Sequence, residues 1–116
     1  MARQLAENFG DRRFDYLNVP LEWLEDVARA AASIGEMGLL EDAADALFKA
    51  EPYWARWAQR KRTRNWLVQL SGAAARTVAR VLQANPEAIK WYRDEDWRPS
   101  NRADPAVRGV LLNAAT

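Results

Sequence analysis

Apolar residues recur at helical spacing along most of this chain, and that period limits what it can fold into. Leu21, Leu24, Val27, Ala28, Ala31 and Ile34 recur at three- and four-residue steps, which puts them on one face of a helix over residues 20–37. Pro20 suits its start and Gly38 its exit. Glu22, Glu25 and Asp26 fall in its first turns, where the helix dipole favours anions. Leu39, Leu40, Ala43, Ala44, Leu47 and Phe48 give a second helix its apolar face. A third is predicted from Pro52 to about Leu70. Ser71 opens a fourth as N-cap, with Ala74, Val78, Val81 and Leu82 as its stripe. Asn85 and Pro86 announce a fifth, and Asp104 with Pro105 a short sixth. Residues 96–104 read as an exposed loop.

The segment "RFDYLNV" alternates Phe14 and Tyr16 before Val19 and reads as an extended strap. No second strand candidate exists to pair with it, so a sheet is not expected. The predicted fold is all-α: five or six short helices packed as stacked antiparallel helical hairpins, a small helical bundle with an N-terminal strap. At 116 residues, 49% hydrophobic and 28% charged, the chain suits one soluble domain with a single modest core. No apolar run approaches bilayer length, and the first residues lack an apolar signal core, so no membrane association and a cytoplasmic location are expected.

A shift of 34 residues aligns "GLLEDAADALFKAEPYWARW" with "GAAARTVARVLQANPEAIKW". Gly38 meets Gly72, Ala50 meets Ala84, Pro52 meets Pro86 and Trp57 meets Trp91. One unit used twice would explain this: a helix ending near the proline, a tight turn, then a helix with a tryptophan one turn in. The period resembles that of tetratricopeptide-like helical hairpins, which implies stacked helix pairs. The Trp, Leu, Gly and Tyr those repeats favour in the first helix are mostly not met.

Charge is strongly polarised along the chain. Residues 1–52 hold five basic and eleven acidic side chains, whereas residues 53–93 hold nine basic and one acidic. The centre of the basic part is "RWAQRKRTRNW", residues 56–66. On a straight helix from Pro52, the buried stripe would start at Trp54, Trp57 and Ala58 and then reach Lys61 and Arg64. Cations cannot be buried unpaired without a large penalty. Arg60, Lys61, Arg62 and Arg64 are therefore expected in solvent, with Arg56, Arg60 and Arg64 forming a ridge at four-residue steps.

Such a ridge, flanked by Tyr53, could follow phosphates. "AADALFKAEPYWARW" also resembles a helix-turn-helix skeleton, which would send the helix from Pro52 into a DNA groove. It departs from that pattern at Phe48, where the turn usually has Gly, at Lys49, usually apolar, and at Glu51, an anion at the helix tip. A plainer alternative pairs the ridge with the chain's own acids: Glu41, Asp42 and Asp45 of the second helix, or the "DED" at 94–96.

Six tryptophans are many for this length. Trp57 and Trp91, equivalent in the repeat, are the first choices for the core. Trp54 beside Tyr53, and Trp97 in a polar loop, suit a core less well, and exposed Trp, Tyr and Arg are enriched at binding hot spots.

Chemistry is sparse. Histidine and cysteine are absent. The carboxylates are scattered, so no metal site is expected. The glycines are isolated, no phosphate loop exists, and the serines have no histidine to activate them. No cofactor and no enzymatic activity are expected. The leading expectation is a non-enzymatic protein-binding module, a small regulator or inhibitor docking Tyr53, Trp54, Arg56, Arg60, Lys61, Arg62, Arg64 and Trp97 on a larger partner with an acidic or mixed surface. The alternative is a DNA- or RNA-binding protein using the basic helix at 52–66.

Overall fold

The computed structural model describes residues 20–93 and 96–113, and the expected N-terminal strap lies outside them. Among the described residues the chain forms six helices and no strands: α1 (Leu21–Ile34), α2 (Met37–Trp54), α3 (Trp57–Leu67), α4 (Gly72–Gln83), α5 (Pro86–Tyr92) and α6 (Pro105–Asn113). The all-α prediction therefore holds.

Two of the predicted boundaries move. The first helix ends at Gly35, three residues before Gly38. Gly35 takes φ 79°, and the next amide, of Glu36, returns to the Ala31 carbonyl at 2.9 Å. A side chain is disfavoured in that left-handed conformation, so glycine closes the helix. Gly38 sits inside α2 instead. The short connection folds α1 and α2 back as an antiparallel hairpin.

The second change shapes the functional region. Pro52 does not begin a helix; it lies inside the last turn of α2, which continues to Trp54. The residue before a proline usually leaves helical geometry. Here Phe48, Ala50 and Glu51 are all buried on other helices, and that tertiary anchoring keeps the turn helical. The chain breaks three residues after Pro52, where Ala55 (ψ 153°) and Arg56 (ψ 168°) are extended. The predicted continuous helix from 52 to 70 is thus two helices joined at an elbow. The 34-residue similarity consequently has no matching geometry: Pro86 stands at the start of α5, whereas Pro52 is near the end of α2.

The α1–α2 hairpin packs on α4 and α5 through α2, α4 carries α5 and α6, and α3 lies on α5. Alanine dominates these contacts: Ala28, Ala31, Ala43, Ala44, Ala46, Ala50, Ala75 and Ala79 are buried. Small side chains let the helix axes approach closely. The volume is then filled by Leu24, Leu40, Leu47, Phe48, Leu67, Val78, Leu82, Tyr92, Val107 and Leu111. Phe48 and Tyr92 meet edge to face, with ring centroids 5.9 Å apart. Trp57, expected in this core, is absent from it; Trp91 packs on its margin and Trp66 is buried. At α6, the Ala106 amide donates to the Asp104 carboxylate at 3.0 Å, the expected cap.

Candidate functional site: an aromatic elbow above a buried polar junction

The elbow exposes what the sequence could only place on one long helix. Tyr53 and Trp54, on the last turn of α2, are 67% and 56% exposed, and Trp57, opening α3, is 57% exposed. Burying Trp57 required an uninterrupted helix through Pro52. The extended Ala55 and Arg56 reset the phase, so α3 turns Gln59, Thr63, Arg64, Trp66 and Leu67 inward. Trp57 is left on the outer face, where the Lys61 ammonium lies 5.3 Å from its ring centroid, one turn along. Arg56, Lys61 and Arg62 are exposed around it.

The expected ridge of Arg56, Arg60 and Arg64 does not form an open surface. Arg64 is buried, contrary to expectation, and Arg60 is half-buried. Both reach the C-terminal end of α5: Arg60 Nη1 donates to the Trp91 carbonyl at 3.1 Å, and Arg64 Nη1 to the Tyr92 carbonyl at 3.0 Å. The last carbonyls of a helix lack intrahelical donors and carry partial negative charge, so two guanidinium groups suit that end. The Arg60 guanidinium also lies 5.4 Å from the Trp91 ring centroid, and that of Arg64 4.9 Å from Trp97. Trp97 is accordingly half-buried against the core rather than displayed by a polar loop. These two arginines hold α5 on α3. Two of the second-helix carboxylates look elsewhere: Glu41 accepts from Arg80 of α4 at 3.2 Å, and Asp45 pairs with Lys49 and accepts from Asn85.

Directly inside the elbow lies a polar junction that the sequence reading missed. Glu25 of α1, Glu51 of α2, Gln59 and Thr63 of α3 and Tyr92 of α5 are all buried there. The Thr63 hydroxyl stands between two carboxyl groups, 2.7 Å from Glu51 Oε2 and 3.2 Å from Glu25 Oε1. The Gln59 amide donates to Glu25 Oε1 at 2.5 Å, and the Tyr92 hydroxyl donates to Glu51 Oε1. Arg29 Nε donates to Glu25 Oε2 at 2.8 Å, giving that carboxylate a cation. Burial pushes the Glu51 carboxyl up to about 7, against the opposing hydrogen bonds from Tyr92, Thr63 and Gln59 and with the Glu25 charge adding to the rise. Burial, with the neighbouring Glu51 charge, also holds the Tyr92 phenol well above its usual range, so it remains a donor.

A signal for this junction was present in the sequence. Glu25 falls between Leu24 and Ala28 on the α1 stripe, and Glu51 follows Leu47 and Phe48 at three and four residues. Both interrupt otherwise apolar faces, as carboxylates with buried partners do.

Among the described residues no cluster of three or more acidic, histidine or cysteine side chains could hold a metal ion, and no helix is long and apolar enough to cross a membrane. No protein family, curated protein or solved structure matches the chain.

Proposed function

We propose that this protein is a non-enzymatic protein-binding module, a small regulator or inhibitor, that docks its α2–α3 elbow onto an acidic surface of a larger partner. Tyr53, Trp54 and Trp57 supply the apolar anchors; Arg56, Lys61 and Arg62 supply the surrounding charge. The observation that carries this reading is the exposure of three large aromatic residues at one corner, while Phe48, Trp66 and Tyr92 are buried. Rigid aromatic anchors beside arginine are the composition of binding hot spots. No carboxylate occurs between Pro52 and Pro86, and an acidic partner surface would complement the exposed Arg56, Lys61 and Arg62. Arg60, Arg64 and Trp97 contribute indirectly, by fixing the α3–α5 contact beneath the corner.

The test is capture of a partner from lysate with the full chain, followed by binding titrations of that partner with Trp54→Ala and Trp57→Ala. Each substitution is expected to weaken binding by roughly thirtyfold or more, the scale of a hot-spot residue, with the helical signal unchanged. Unaltered affinity in both variants would refute the reading. A mobility-shift titration with duplex and single-stranded nucleic acid at low and high salt provides the contrasting outcome. Binding that falls steeply with salt and survives loss of both tryptophans would assign the exposed cations to phosphates instead.

A further inference from the structure

The hydrogen count at the buried junction does not close with both carboxyl groups ionised. Thr63 has one hydroxyl hydrogen and two carboxyl oxygens within hydrogen-bond distance, Glu51 Oε2 at 2.7 Å and Glu25 Oε1 at 3.2 Å. Whichever it serves, the other opposes its lone pairs. Adding one proton resolves every contact. If Glu51 Oε2 carries it and donates to Thr63, then Thr63 donates to Glu25, and Tyr92 still donates to Glu51 Oε1. Gln59 serves both Glu25 and the Thr63 oxygen, at 2.5 and 3.3 Å, and Arg29 neutralises Glu25.

The same contacts say which carboxyl is neutral. The groups facing Glu51 are Glu25 from α1, with Arg29 committed to it, Gln59 and Thr63 from α3, and the phenol of Tyr92 from α5. Arg64 donates to the Tyr92 backbone carbonyl. Glu25 has a cation at 2.8 Å. Glu51 instead receives the hydroxyls of Thr63 and Tyr92 and the Gln59 amide, all neutral donors.

We propose that Glu51 is a proton-binding latch: protonated, it ties α1, α2, α3 and α5 together beneath the elbow, and its ionisation loosens α3. Ionisation would place a second buried charge beside Glu25 and leave the single Thr63 hydrogen facing two carboxylates. The elbow begins one turn beyond Glu51, since the Ala55 amide donates to the Glu51 carbonyl at 3.0 Å. If the corner docks as proposed above, its geometry is then set by pH; the latch itself stands or falls without any partner.

The sign follows from linkage. Glu51 is raised from 4.5 to about 7 in the folded protein, so between those values the folded state holds a proton that the unfolded state has released. Its contribution is fully present below the lower value and is lost as pH rises through the upper one. The chain has no histidine, so apart from the amino terminus little else titrates in this range.

Urea unfolding of the full chain, from about pH 5 to about pH 8, reads the latch. The unfolding constant of the wild type is expected to rise by up to about tenfold per pH unit until near neutrality, then level. Glu51→Gln keeps an acceptor for Tyr92 and a donor for Thr63. It should fold, lose most of that slope, and match or exceed the wild type at the alkaline end. A slope retained in Glu51→Gln, or none in the wild type, overturns the proposal. Infrared difference spectra of the wild type serve if the variant fails to fold. A buried protonated carboxyl band at neutral pH, titrating away above it, supports the latch, and its absence overturns it. Amide exchange localises the effect. Corrected for intrinsic rate, α3 should gain exchange above neutral pH more than α4 does, and equal gains would refute a latch acting on α3.

Discussion

Replacing Arg64 by alanine should cost far more than replacing Arg62, although the two lie two residues apart in the same basic run. Arg64 is buried, donates to the Tyr92 carbonyl at 3.0 Å and stacks 4.9 Å from the Trp97 centroid. A hydrogen bond from a charged donor contributes about 1.5–3 kcal/mol, and a partly desolvated cation–π contact about 1 kcal/mol. Recovering the hydration of the guanidinium offsets part of the sum, which leaves an expected loss of about 2–3 kcal/mol for Arg64→Ala. Arg62 is exposed, and Arg62→Ala should stay within about 0.5 kcal/mol of the wild type. Urea denaturation followed by far-ultraviolet circular dichroism measures both. Arg64→Met separates the causes, since it keeps the apolar stem and removes the donor; about half the loss should remain. Losses for Arg64→Ala and Arg62→Ala that agree within about 0.5 kcal/mol would refute the assignment of Arg64 to the end of α5. The same reasoning decides how nucleic-acid binding must be probed. Removing Arg60 and Arg64 would weaken the fold, so only Arg56, Lys61 and Arg62 give a clean test of surface charge.

Tyr92→Phe removes the donor to Glu51 and should destabilise the protein by about 1–3 kcal/mol. Because that bond lowers the Glu51 pKa, its loss should also move the pH-dependent fall in stability to higher pH, visible in the same urea series. Gly35→Ala meets no atom within 4 Å, so its cost is the left-handed backbone alone, about 1–2 kcal/mol, seen as a lower melting temperature.

Helices were legible in the sequence wherever one apolar stripe faced one core. Leu24, Ala28 and Ala31, or Val78, Val81 and Leu82, needed only their spacing. Pro20, Pro52, Pro86 and Pro105 all read as helix starts by one rule. That rule is met at Pro86 and Pro105, although only Asp104 caps its helix, while the Asn85 amide donates to Asp45 and the Val81 carbonyl. It fails at Pro52, whose neighbour Glu51 is held helical by Thr63 and Tyr92. The error propagated, because moving the start of α3 to Trp57 rotates Gln59 and Thr63 inward and Trp57 and Lys61 outward. Tyr53, Trp54, Arg56, Lys61 and Arg62 are exposed, whereas Arg60, Arg64 and Trp97 are drawn into packing. The buried junction was hidden for a different reason. Glu25 and Thr63 are 38 residues apart, and a single sequence shows an acid on an apolar stripe without its distant partner.

The seven residues of α5 are too few to persist as an isolated helix in water. Its C-terminal carbonyls are gripped by Arg60 and Arg64, which are in place only once α3 has formed. In time rather than in space, this makes α5 a late arrival: the α1–α2 hairpin, built from local contacts, can assemble first, and the short helix adds when α3 is ready to receive it. Loss of either arginine would then hasten unfolding and leave the rate of folding nearly unchanged.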